Sequence, residues 1–181
     1  MEYSSNIVLK NGRVAHLRNA TGADGGAVLE VFNLTHSETD YMLSYPDENS
    51  FDVEQETEFL AKKAESTKEI EIIAVVDGKV AGTAGIEAVG TKYKLNHRAE
   101  YGIAILRDYW GLGIGSALTR ACIECAGKAG YEQLELNAVA DNSRAIEMYK
   151  KFGFVEYGRN PKGFRSRLGG YQELVYMRLE L

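Results

Sequence analysis

The run Trp110-Gly111-Leu112-Gly113-Ile114-Gly115-Ser116 places three glycines at alternate positions. Such a backbone lets successive N–H groups converge on an anion, and a helix beginning there adds its positive end. The same glycines also suit a tight strand-to-helix turn that holds no ligand. A Walker-type triphosphate loop needs Lys and then Ser or Thr after its last glycine; Gly115 is followed by Ser116 and Ala117, which excludes that reading. A dinucleotide fingerprint would set Gly or Ala where Ser116 stands and would open the first β-α unit, whereas about a hundred residues precede this loop.

A second block follows: Asp141-Asn142-Ser143-Arg144-Ala145-Ile146, continuing through Met148-Tyr149-Lys150-Lys151-Phe152-Gly153-Phe154. Tyr149 lies seven residues after Asn142, a spacing that drifts by only about 20° on an α-helix, so both side chains share a face with Ala145 and Ile146. Taken alone, Asn142 reads as an N-cap and Tyr149 as a core aromatic. Taken together and in order, the two blocks resemble the GNAT superfamily of acetyl-coenzyme A dependent N-acetyltransferases. Its signatures are Arg/Gln-x-x-Gly-x-Gly/Ala and Asn-x-x-Ala-x-x-x-Tyr-x-x-x-Gly-Phe. Gly113-Ile114-Gly115 fills the glycine half of the first, with Trp110 where Arg or Gln is usual, and the second is matched without a gap. The strong resemblance covers Glu69 to Tyr157, about half the chain, and its look is nearest the branch of polyamine and ribosomal-protein N-terminal acetyltransferases.

The resemblance implies a mixed α/β fold whose mostly antiparallel sheet is splayed between strands four and five, with helices on both faces. It implies acetyl-coenzyme A as co-substrate and no metal. The pantetheine arm would lie in the opening against the backbone of Ile103, Ala104 and Ile105. Leu112, Gly113, Ile114, Gly115 and Ser116 would cradle the phosphates, and Asn142 and Ala145 would meet the arm.

Making an amide from a thioester requires a neutral amine and a proton for the departing thiolate. By the resemblance Tyr149 is the acid. Glu100, the acid of the strand His97 to Leu106, is the candidate base, directly or through a water, with His97 as a weaker alternative. Arg144, Lys150 and Lys151 either attract the coenzyme A 3′-phosphate, Lys151 foremost, or form a solvated helix face. Between Arg18 and Lys62 there is no cation, yet ten acids occur. This run either is exposed helix polarity or draws a cationic amine to the lip that follows the first helix.

These groups need elements to hold them. Ile7 to Lys10 and Arg13 to Arg18 flank Asn11-Gly12, a hairpin signal of type I′, and Asp77-Gly78 separates the strands Glu69 to Val76 and Lys79 to Val89 in the same way. Asp24 to Thr35, with Ala27, Val28, Val31, Phe32 and Leu34 as its apolar face, and Val53 to Ser66 are helices between them. After the glycine loop, Ile114 to Ala129 is a helix ended by Gly130, Leu134 to Val139 a strand, and Ser143 to Phe152 a helix. Phe154 to Tyr157 starts one further strand, and Tyr171 to Leu179 closes the chain. Hairpins followed by β-loop-α-β-α-β give one mixed α/β domain over residues 1–181.

Composition narrows the rest. With 45 % apolar and 26 % charged residues the 181-residue chain has the balance of a globular domain. Net charge −5 has the wrong sign for a protein held to nucleic acid by its phosphates. No apolar run reaches the roughly 20 residues of a membrane span, and Met1 to Lys10 lacks a secretory pattern, so the chain reads as cytoplasmic. Cys122 and Cys125 sit in an apolar helical pattern and read as core rather than redox; with three histidines they cannot build the usual zinc site. The resulting expectation is direct acetyl transfer to a primary amine of a small molecule or a protein N-terminus. The alternative is a non-catalytic acyl-coenzyme A or nucleotide sensor on the same fold. The alternating Tyr171 to Leu181 segment is an edge-strand candidate for homodimer pairing.

Overall fold

The computed structural model describes all residues 1–181. Eight strands form one sheet: β1 Ser4–Val8, β2 Val14–Asn19, β3 Ile70–Val76, β4 Lys79–Ala88, β5 Arg98–Ile105, β6 Gln133–Val139, β7 Val155–Ser166 and β8 Gly170–Glu180. The helices are α1 Gly25–Glu38, α2 Val53–Glu65, α3 Ile114–Lys128 and α4 Ser143–Lys151. Strand order is β1-β2-β3-β4-β5-β6-β8-β7, and β5–β6 is the one parallel pair. None of the helices is long and apolar enough to cross a membrane.

The apolar, β-branched run of β3 is buried on both faces, as helices above and below require. Asp77 and Gly78 both take positive φ, 50° and 78°, so the β3–β4 hairpin has the backbone of the type I′ turn that its residues signal. The opening hairpin differs. Only Gly12 is left-handed, and the turn is closed by the Leu9 amide on the Arg13 carbonyl at 2.8 Å, a wider loop than Asn11-Gly12 suggests. Asp52 caps α2 by accepting the Gln55 amide at 2.9 Å while the Gln55 side chain accepts the Asp52 amide at 3.0 Å.

On one face α1 and α2 cover Ala20, Ile73 and their neighbours; on the other, α3 and α4 close over the larger core. The buried face of α1 is Val28, Leu29, Val31, Thr35 and His36, whereas Ala27 and Leu34 point outward, a rotation from the face read in the sequence. Cys122 and Cys125 are core residues, and burial pushes both thiols up, Cys125 to about 11, which keeps them protonated and inert.

The feature that matters for function lies between β5 and β6. They pair only from Arg98 to Glu100 against Gln133 to Glu135, after which β5 stays with β4 while β6 follows β8 through Val139. Counted along this chain the splay falls between strands five and six, because the opening hairpin adds a strand at the sheet edge. The chain-terminal strand is not an edge: β8 lies between β6 and β7, and the free edges are β1 and β7. β7 is longer than Phe154 to Tyr157 suggested. Irregularities at Glu156/Gly158 and Asn160/Phe164 break its alternation, and Pro161, which lacks a donor, is tolerated because this strand is outermost.

Candidate active site

The splay opens into a cavity of about 690 Å³. From α3's side it is lined by the glycine loop, from α4 by Asn142, Ala145, Met148 and Tyr149, and from the opposite side by Thr35, Thr39, Tyr41, Met42 and Leu43. β5 alternates through it. Tyr101, Ile103 and Ile105 belong to the core face under α3, and the Tyr101 hydroxyl meets that of Thr119 at 2.9 Å. Glu100, Gly102 and Ala104 therefore project toward α1.

Gly111 and Gly113 hold φ of 80° and 104°, which turns the chain from β5 into α3. No backbone amide from Gly111 to Ser116 donates to an acceptor in the protein; the first amide of α3 with a partner is Ala117, on the Gly113 carbonyl at 3.1 Å. Six free donors at the positive end of a 15-residue helix form an anion cradle. A Cβ at Gly115 would lie 3.2 Å from Met148 Sδ and 3.3 Å from the Ile105 side chain, so α3, α4 and β5 approach closely only because this residue has none.

Trp110, the departure from the signature, anchors the loop. Its indole Nε1 donates to the Ile105 carbonyl at 2.7 Å, so that carbonyl is occupied by the protein itself. The guanidinium groups of Arg107 and Arg144 lie 5.7 and 5.9 Å from the Trp110 ring, returning positive charge to a position where the signature carries Arg or Gln.

Tyr149 is buried, its ring 6.1 Å from Tyr101 and 5.9 Å from Phe154, while its hydroxyl has no partner in the protein. Burial pushes the phenol well above its ordinary range, so it is protonated at neutral pH and able to give a proton. Asn142 fills both readings: its Oδ1 accepts the Ala145 amide at 3.3 Å, capping α4, and the residue also lines the cavity.

Glu100 is the middle of three carboxylates directly opposite one another on β4, β5 and β6: Glu87, Glu100 and Glu135. Glu87 is paired with Lys63 at 2.8 Å and Glu135 with Arg98, while Glu100 has no ion pair and faces the cavity.

Of the positions expected at the site, Glu100, Ile103, Ala104, Ile105, Gly113, Gly115, Ser116, Asn142, Ala145, Tyr149 and Lys151 all line the cavity. Leu112 and Ile114 do not. The Ile114 side chain is fully buried in the core and Leu112 packs against it, so each offers the cradle a backbone amide only. His97 lies outside the cavity. Lys150 pairs with Glu147 at 3.3 Å, which leaves Arg144 and Lys151 as the α4 cations at the cavity. The ten acids between Arg18 and Lys62 are all absent from its lining. Asp24 pairs with Arg18, Asp47 and Glu48 with Arg167, and Asp40 accepts from Tyr45, Ser166 and Gln172.

Several residues at the site escaped the sequence reading, Met42, Leu43 and Asn137 among them. Lys10 lines the cavity because its backbone amide is bound to the Leu112 carbonyl at 3.1 Å, a contact across a hundred residues that no local pattern announces. Phe164 reaches it from β7, the strand whose extent the sequence concealed.

A model of the acetyltransferase (GNAT) family matches residues 31–154. The chain is 34 % identical over 108 residues to an L-amino acid N-acetyltransferase of Escherichia coli, a match covering 59 % of this chain and 65 % of that protein. To an N-alpha-acetyltransferase of Sulfurisphaera tokodaii it is 31 % identical over 150 residues, 81 % of this chain and 84 % of the other. The chain thus spans under two thirds of the first of these relatives. Among solved structures, a GNAT acetyltransferase of Streptococcus pneumoniae superposes with TM-score 0.88 at 28 % identity over 92 % of this chain and 99 % of that one. An acetyltransferase of Salmonella typhimurium, solved with acetyl-CoA, shares the fold with TM-score 0.82 at 18 % identity, covering 92 % and 94 %.

Proposed function

The chain belongs to the acetyltransferase (GNAT) family, and on that premise we propose that it moves the acetyl group of acetyl-coenzyme A to a primary amine, of a small molecule or a polypeptide N-terminus, by direct attack. The observation that carries this reading is the meeting of the free amides of Gly111 to Ser116, the unpartnered Tyr149 hydroxyl and the unpaired Glu100 carboxylate around one cavity. The residues present suit the co-substrate. An anion cradle flanked by Lys10, Arg144 and Lys151 fits its phosphates, and the parted strands leave a slot for an extended arm.

Acetyl-coenzyme A supplies an activated acyl carbon on a thiol leaving group. Glu100, directly or through a water, takes a proton from the incoming ammonium so that the amine nitrogen bears a lone pair. The nitrogen forms its bond to the acyl carbon as the carbon–sulfur bond breaks, the Tyr149 hydroxyl gives its proton to the departing sulfur, and the surplus proton on the new amide nitrogen passes, directly or through water, to the phenolate and restores it. Glu100 thus takes one proton, Tyr149 gives one and regains one, and the cradle holds the phosphates in register meanwhile. The buried, protonated thiols of Cys122 and Cys125 have no part in the step.

The test is thiol release from acetyl-coenzyme A over a panel of amines, run beside calorimetric binding of acetyl-coenzyme A. Acceptor-dependent release supports transfer. Binding without release from any amine favours the acyl-coenzyme A sensor instead.

A further inference from the structure

Building on the transfer reading, we infer that the acceptor is a polypeptide N-terminus whose first side chain is bulky and apolar. The ten acids that would have drawn a polycation face elsewhere, and the charged residues that do line the cavity are Lys10, Glu100, Arg144, Glu147 and Lys151. The three cations and Glu147 lie on the side of the glycine loop and α4. Lys10 is tied to Leu112, Arg144 stacks beside Trp110, and Lys151 shares the α4 face of Arg144 and Met148, which packs on Gly115.

The α1 side is different in kind. Thr35, Thr39, Tyr41, Met42 and Leu43 come from α1 and the segment after it, and Phe164 from β7. Asp40 fixes this lip to the far edge of the sheet: its carboxylate accepts from Ser166 at 2.6 Å and from Gln172, the register partner of Phe164, at 3.2 Å. The Thr35 hydroxyl is committed to the Val31 carbonyl at 2.8 Å and that of Thr39 accepts the Tyr41 amide at 3.3 Å. Glu100, Asn137 and the Tyr41 hydroxyl are left without a partner on this side, and Glu100 is the one charged group among them. Leu43 is 81 % exposed at the mouth, an apolar surface with nothing covering it.

These facts select among amines. One unpaired carboxylate matches one ammonium, whereas a polyamine or an aminoglycoside needs several. A free amino acid brings an α-carboxylate beside its amine, and no cation lines this side to receive it. A peptide N-terminus has the single ammonium for Glu100, a neutral carbonyl for the Asn137 amide, and a side chain for Met42, Leu43 and Phe164.

The experiment compares kcat/KM, by thiol release, for hexapeptides identical except for a first residue of Leu, Phe, Ser or Asp, alongside leucine, leucinamide and spermidine. The Leu and Phe peptides should exceed the Ser peptide by about tenfold or more, as a filled apolar pocket allows. Leucinamide should exceed leucine, and spermidine should be poorest. Leu43→Ser and Met42→Ser should shrink the Leu-over-Ser ratio while leaving KM for acetyl-coenzyme A unchanged. Spermidine or free leucine as the best acceptor, or a ratio untouched by both variants, overturns the acceptor inference alone. No thiol release from any amine, with acetyl-coenzyme A still bound, overturns the transfer reading and this inference with it.

Discussion

Tyr149 separates two roles that one side chain often combines. Its ring fills a buried contact between Tyr101 and Phe154, and its hydroxyl has no partner, so Tyr149→Phe removes the proposed proton donor and leaves the packing. The expected outcome is a fall in kcat within the roughly 10² to 10⁴-fold range of positioned acid catalysis, with unfolding temperature and acetyl-coenzyme A affinity retained; steady-state kinetics beside calorimetry checks it. Glu100→Gln should show a different signature, a loss greatest at low pH that recovers as pH approaches the acceptor amine's own pKa. His36 offers a stability test on the same face as the lip. Burial holds its imidazole below the ordinary range, with the hydrogen bond to the Phe32 carbonyl at 2.7 Å working the other way. Folding therefore favours the neutral ring: the contribution is full above the ordinary value of about 6.5 and is lost as pH falls below it. Thermal unfolding of the wild type should drop between about pH 7.5 and 5.5 by more than that of His36→Phe.

At the scale of elements, the proposed anion site joins the glycine loop to the opening hairpin. Valine at Gly113 would have to hold φ near 104°, a conformation costing about 1–3 kcal/mol for a branched residue, so Gly113→Val should distort the start of α3 and weaken acetyl-coenzyme A binding. Lys10→Ala leaves the backbone tie to Leu112 in place and removes only the charge. It should raise KM for acetyl-coenzyme A a few-fold with kcat kept, an effect that fades with added salt. Legibility followed locality. The β3–β4 turn joins neighbours and was readable in Asp77-Gly78. β7 was not, because its glycines, Pro161 and two irregularities erase the period-two pattern on which strand reading depends.

Across the whole molecule, Lys63 of α2 ties the helical layer to the sheet. Its side chain is 4 % exposed and donates to Glu71 on β3 at 3.0 Å and to Glu87 on β4 at 2.8 Å. Lys63→Ala would leave these carboxylates without their cation and should cost about 3–5 kcal/mol, read as a lowered unfolding midpoint in denaturant with unchanged slope. The pairing also reaches the site, since it occupies Glu87 and leaves Glu100 as the unpaired member of the cross-strand row. The amino-acid sequence by itself determined the two motif blocks, the family they resemble, the order of strands and helices, and the cavity residues Tyr149, Asn142 and Glu100. Each of these rests on residue types within a turn or two of one another. Only the tertiary structure decided that the acidic run faces away from the cavity, that Lys10 stands beside the glycine loop, that β8 is interior, and that Phe164 joins the lip. Those outcomes depend on strand register and on which face of each element meets its neighbour, and such contacts are set by packing between residues far apart in the chain rather than by any local pattern.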